Sequence, residues 1–173
     1  MTPVISTERL VLRGPVRTDA EAIYRLAGDF NVAGMLGRMP HPYRMEHAEA
    51  FLESVHARDW DREPEFAIEH RNFGLVGMIG FKAGTDAARP ELGFWIGRPY
   101  WNRGYMTEAV RGVLKWTRRD WRKNVVEAAH FTDNAASGQV LCKAGFLYTG
   151  DVELRPCLAR GMDVPARRMV WLA

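Results

Sequence analysis

The stretch YWNRGYMTEA, residues 100–109, carries a single glycine among aromatic and basic residues, where a strand-like run gives way to a helical pattern. A turn that feeds a helix N-terminus presents unpaired N–H groups and the positive end of the helix dipole, a combination that favours an anion. The stretch has neither the spaced glycines of a dinucleotide loop nor the Gly-Lys-Ser/Thr of a P-loop. Which anion it holds must be read from the chain on either side.

Before it, FAIEH (66–70), GLVGMIGF (74–81) and ELGFWIG (91–97) read as three strands of an antiparallel meander, joined at Arg71-Asn72 and by a longer turn, KAGTDAARP (82–90). After it, Ala109, Val110, Val113, Leu114 and Thr117 form the inward stripe of a helix running to about Trp121, and VVEAAHFT (125–132) is a strand. Strand, helix and strand make a crossover unit, so 91–97 and 125–132 are expected to run parallel. A short helix over 135–144 follows, with Asn134 as N-cap and Gly145 as left-handed stop.

Farther out, residues 9–13 of ERLVLR alternate as a half-buried strand. Thr18 and Glu21 form a capping box before Ala22, Ile23, Leu26 and Ala27 at helical spacing. The glycines and prolines of GMLGRMPHPY (34–43) predict a loop, and Ala48, Phe51, Leu52 and Val55 predict a helix from Met45 to about Trp60. FLYTGDVEL (146–154) and RMVWL (168–172) close the chain as strands, giving an α+β fold with a mixed central sheet of about seven strands.

With 173 residues, 47% hydrophobic and 26% charged, the chain reads as one domain, 1–173, able to bury its own core. A net charge of +3 suits a phosphorylated ligand and is too small to imply nucleic acid. Cys142 and Cys157 form no CxxC pair, and no signal-like or membrane-length apolar run stands out, so a cytoplasmic location is expected. The five histidines have no metal-ligand spacing. Cys142, inside a short helix, reads as a buried thiol, and the basic run RRDWRK (118–123) as a solvated helix end.

Four stretches in order, TERLVLR (7–13), PYRMEHAEAFL (42–52), ELGFWIGRPYWNRGYMTEAV (91–110) and NAASGQVLCKAGF (134–146), resemble the GCN5-related N-acetyltransferase (GNAT) superfamily. Within it they resemble the RimJ/RimL-like branch, which modifies N-terminal amines of ribosomal proteins. The resemblance implies helices on both faces of the sheet and a splayed parallel strand pair with the pantetheine of acetyl-CoA in the gap, here between Phe94-Trp95-Ile96 and the end of 128–132. The family's loop pattern is Gln or Arg, two residues, Gly, one residue, Gly or Ala; aligned on Gly104, this chain has Trp101 first and Met106 last. The anion is then the coenzyme A pyrophosphate, held by backbone N–H groups from Asn102, Arg103, Gly104, Tyr105, Met106 and Thr107, with Arg98 and Arg103 as optional helpers and Glu108 complementing the dipole.

The resemblance also assigns Asn134 to the cofactor arm and Ser137 to reprotonation of the departing thiolate; the tyrosine that other members place four positions later is Leu141 here. A backbone N–H in 94–96 would polarise the thioester carbonyl. An amine nucleophile also needs a base. Glu91 is the first candidate, which reads equally as an exposed strand-end glutamate, and Glu153 is the second. The expected activity is acetyl transfer from acetyl-CoA to a primary amine, with a ribosomal or other protein N-terminus favoured over an antibiotic, polyamine or amino acid. The rival readings are a weak acyl-CoA-binding module and an RNA-associated protein using residues 118–123. The chain is expected to act as monomer or homodimer, without metal, nucleic acid or membrane.

Overall fold

A computed structural model describes residues 3–84 and 89–173, so the middle of the expected turn at 82–90 lies outside the described residues. The chain runs β1 (Ile5–Ser6), β2 (Leu10–Arg13), α1 (Ala20–Ala27), α2 (Phe30–Ala33), α3 (Met45–Ala57), β3 (Glu65–His70), β4 (Gly74–Lys82), β5 (Glu91–Ile96), α4 (Tyr105–Arg119), β6 (Val125–Phe131), α5 (Ala135–Lys143), β7 (Leu147–Cys157) and β8 (Met162–Leu172). Among the described residues the strands form one mixed sheet of eight, in the order β1-β2-β3-β4-β5-β6-β8-β7. The extra strand is the two-residue β1, too short to show alternation.

Period-two patterning sends alternate side chains to two cores, one on each face. Leu10, Leu12, Phe66, Ile68 and Leu92 pack with Val110, Val113 and Leu114 of α4 and Leu141 of α5. On the opposite face Met78 and Ala67 pack with Ile23, Leu26 and Ala27 of α1 and Leu52 of α3. The helices therefore cover both faces, and β5 contributes Phe94 and Ile96 to one core and Trp95 to the other.

The meander β3-β4-β5 is antiparallel throughout. The β5–β6 pair is parallel and holds at only two positions, Glu91 with Glu127 and Leu92 with Ala128. Beyond them β5 stays with β4 while β6 continues along β8 from Val125 to Phe131. A wedge-shaped gap opens between two central strands of the sheet.

Several local expectations are corrected. Thr18 does not cap α1; it sits in a 3₁₀ turn, Arg17–Asp19, and the shorter Asp19 accepts from Val16 N–H at 2.8 Å and from both Nη atoms of Arg13. The second long helix stops at Ala57 and α4 stops at Arg119, both short of the tryptophans named as their ends. Residues 30–33, read as no element, form the turn-length α2, capped by Asp29. The last two strands are longer than read, because the polar, proline-containing 162–167 pairs with 152–157 across a turn at Gly161. Cys142 is exposed, not buried: α5 turns Gly138 and Leu141 inward and leaves Cys142 outside, while Cys157 is buried.

Candidate active site

The loop after β5 ends in two residues with positive φ, Asn102 at 58° and Gly104 at 77°, the second being the N-cap of α4. A left-handed backbone there is tolerated by asparagine and favoured by glycine. The first helical bond is Glu108 N–H to Gly104 O at 3.0 Å, so the amides of Tyr105, Met106 and Thr107 precede any helical acceptor and point out of the helix end. The side chains of Tyr105 and Met106 are buried in the α4 core. Met106 at the pattern's last place therefore adds no bulk at the mouth of the loop, and these residues offer their backbone alone.

A second strut holds this loop. Glu108 accepts from Thr7 Oγ1, Arg9 N–H and Arg9 Nε, each at 2.7 Å, and Arg9 Nη1 donates to Arg103 O at 3.0 Å. Burial pushes the Glu108 carboxyl up, but the hydrogen bonds from Thr7 and Arg9 outweigh it and hold the group below its ordinary value. Glu108 thus ties the β1–β2 turn to the first turn of α4, beyond complementing the dipole. The Arg9 guanidinium also lies 4.7 Å from the Tyr105 ring centroid. Arg98, by contrast, turns toward Asp29 at 3.8 Å, and Arg103 leans toward the Phe73 ring.

Backbone direction in the gap follows from the strand's alternation. Pro90 O accepts from Glu127 N–H at 2.9 Å on the β6 side, and Gly97 N–H donates to Val76 O at 2.8 Å on the β4 side. Positions between them alternate, which aims the N–H groups of Phe94 and Ile96 into the gap. Trp101 Nε1 donates to Ile96 O at 2.8 Å, so the residue that departs from the family loop pattern satisfies the last carbonyl of β5.

At the far wall, Asn134 caps α5. Its Oδ1 accepts from Ser137 N–H at 3.2 Å and its Nδ2 donates to Ser137 Oγ at 2.9 Å. Leu141, one turn later on the same stripe, is buried in the core with Leu92 and Ala128, the last paired residues of β5 and β6. Ser137 lies one turn before Leu141 on the same stripe of α5. Its hydroxyl oxygen accepts from Asn134, which leaves the hydroxyl proton available to donate. Under the same helix Tyr148 Oη and His130 Nε2 lie 3.0 Å apart, while His130 Nδ1 faces Phe131 O at 2.8 Å.

Glu91 begins β5 on the opposite face. Arg155 Nη1 and Nη2 hold its two oxygens at 2.6 and 2.9 Å, and Lys82 Nζ adds a contact at 3.1 Å. Burial pushes this carboxyl up, but the Arg155 hydrogen bonds and the Lys82 charge outweigh it and hold it below the ordinary carboxylate range. Glu153 joins the same network through Arg155 at 2.5 Å and Arg168 at 3.9 Å. Among the described residues no cluster of three His, Cys, Asp or Glu is arranged to hold a metal, and no helix is long and apolar enough to cross a membrane.

Residues 9–147 match the acetyltransferase (GNAT) domain family. The uncharacterised N-acetyltransferase YoaA of Bacillus subtilis (strain 168) is 30% identical over 153 residues, spanning 87% of this chain and 86% of its own. Two solved structures share the fold at low identity. The ribosomal L7/L12 alpha-N-protein acetyltransferase RimL, in complex with coenzyme A, has a TM-score of 0.85 over 98% of each chain at 14% identity. The spermidine N-acetyltransferase of Vibrio cholerae, in complex with CoA and spermine, has a TM-score of 0.78 over 95% of each chain at 17% identity. Anion-ready helix, splayed strand pair and family match converge: the chain belongs to the GNAT acetyltransferases, enzymes that carry acetyl groups from acetyl-CoA to amines.

Proposed function

We propose that this N-acetyltransferase acts on a single amine at the end of an otherwise uncharged or mixed-charge chain, a protein or peptide N-terminus, as in the RimJ/RimL-like branch. The observation that carries this reading is the state of the carboxylates beside the gap. Glu91 and Glu153 are held by Arg155, and Glu127 by Arg168 at 3.4 Å. A polyamine needs several spare carboxylates spaced along its length, and Glu91, Glu127 and Glu153 are instead paired with the chain's own arginines, which leaves Glu65, among the described residues, as a single acid on this face.

Bound acetyl-CoA supplies an acyl thioester whose C–S bond is exchanged for a C–N bond to the amine. The residues fit it in three places. The amides of Tyr105, Met106 and Thr107 above Gly104 suit a diphosphate, and Arg111, Lys115 and Lys143 line a groove of about 590 Å³ that starts at Gly104 and offers cations for a further phosphate. The amides of Phe94 and Ile96 suit an amide-bearing arm lying like a strand, with one left to polarise the carbonyl. Ser137, oriented by Asn134, gives its hydroxyl proton to the departing sulfur.

Thiol release with acetyl-CoA, measured for a peptide with a free N-terminus, the same peptide blocked but carrying lysine, and spermidine, tests the acceptor. The free N-terminus is expected to exceed both others in kcat/KM by at least about tenfold; a preference for spermidine overturns the reading.

A further inference from the structure

We infer that Glu65 is the carboxylate that takes the amine's proton, across a glycine floor beside the vertex of the gap; this rests on the amine-acetylating function proposed above. In the sheet register Glu65 lies opposite Gly80, and Gly80 opposite Gly93. All three share the α1–α3 face, because their neighbours in register, Ala67, Met78 and Trp95, belong to that core. The Glu65 carboxylate folds over Gly80 so closely that a Cβ there would strike it, whereas a Cβ on Gly93 would meet nothing within 4 Å. Gly93 is exposed although β5 is a central strand, and it is the first residue after the last β5–β6 pair. An open trough therefore leads from the vertex to Glu65. Strands lie about 4.8 Å apart, so a carboxylate above β4 is within one water of an amine standing over Gly93.

Glu65 also differs from the other carboxylates of this face. Glu91 and Glu127 are gripped by guanidinium groups of Arg155 and Arg168. Among the described residues Glu65 has one long ion-pair contact, Arg58 Nη1 at 3.8 Å, and its side chain is 14% exposed. The charges facing it are Arg58 and Glu63 from the segment before β3, with Lys82 and Glu91 farther along the same face. Burial raises its carboxyl to about 7, against the pull of Arg58 and with the push of Glu63. A carboxyl with that value is about half ionised at pH 7 and accepts a proton readily, whereas Glu91 is depressed and occupied.

The proton balance closes. An ammonium R–NH₃⁺ gives up two protons as one C–N bond forms and one C–S bond breaks. Glu65 receives one and returns it to solvent; the other makes good the proton that Ser137 gives to the thiolate, leaving amide, thiol and one H⁺.

Glu65→Gln in the full-length protein tests the assignment. Wild-type kcat/KM is expected to rise with pH through an inflection near 7, and the variant to lose that inflection and about 100-fold in kcat, with acetyl-CoA affinity by calorimetry unchanged. The folding readout has its own sign. A raised carboxyl favours the folded state most below its unfolded value of 4.5 and loses that contribution as pH rises through about 7, so the Tm of the variant should gain on wild type across that window. Gly80→Ala, which pushes the carboxylate aside without removing it, should lower kcat and again spare acetyl-CoA affinity. A Glu65→Gln enzyme within about threefold of wild type that keeps the inflection overturns the assignment alone, as does joint loss of activity and acetyl-CoA affinity. A wild type that binds acetyl-CoA and acetylates no amine overturns the proposed function together with it.

Discussion

A serine hydroxyl is a weak acid, so its usefulness at Ser137 depends on where its proton points. Asn134 fixes that twice, by capping the helix with Oδ1 and by donating to Oγ with Nδ2. Ser137→Ala should leave acetyl-CoA affinity intact in calorimetry and lower kcat by about 10- to 100-fold; an unchanged kcat removes the role. The Asn134 cap was legible because a cap is local, three residues from the group it serves, whereas the role of Ser137 came from resemblance. The surroundings of Glu91 were not, because Arg155 comes from 64 residues away and only the tertiary fold brings it. Glu65 went unread for the related reason that a glutamate opening a strand looks solvent-facing until its neighbour across the sheet is known to be glycine.

At the scale of elements, the topology of the crossover from β5 through α4 to β6 was readable, because a single helix between neighbouring strands favours a parallel return; the end of α4 was not, and it stops at Arg119. Its consequence, the gap, came from resemblance and lies in register: two paired positions, then separation. The β1–β2 turn as a strut for the α4 loop was invisible, since Glu108 explained itself as a dipole partner. Polar, proline-containing β8 was read short because its partner strand supplies the order that its own sequence does not. The α4 N-terminus gives a graded prediction. Gly104→Asn, able to adopt a positive φ, should keep acetyl-CoA affinity within about threefold in calorimetry. Gly104→Asp puts a negative charge among amides meant for phosphate and should weaken it by about 100-fold or more; equal affinities for the two variants would remove the anion site from this loop.

Across the whole molecule, the two sides of the gap are joined through Arg160. Its Nε donates to Gly34 O at 2.6 Å and its Nη atoms to Asp133 at 2.6 and 3.2 Å, while Leu158 N–H reaches Gly37 O at 3.1 Å. The rim at 34–37, between α2 and α3, is thereby pinned to the β7–β8 turn and to the residue preceding Asn134. The hydrogen bond to Asp133 and its charge hold the Arg160 guanidinium above its ordinary value despite burial, and hold the Asp133 carboxyl below its own. One side chain thus couples the 34–37 rim, past which we propose the acceptor enters, to the start of α5. Arg160→Ala should cost about 1 kcal/mol of stability, chiefly from the buried Gly34 carbonyl left without its guanidinium donor, since the Asp133 partner is exposed. It should also raise the acceptor KM by about tenfold and lower kcat less, with acetyl-CoA affinity unaffected because the proposed diphosphate site is on α4. Arg160→Lys should recover little, since an ammonium cannot span Gly34 O and both Asp133 oxygens at once. Steady-state kinetics beside thermal unfolding separate the effects: a variant that loses stability but keeps its acceptor KM would reduce the clasp to scaffold and place acceptor entry elsewhere on the rim.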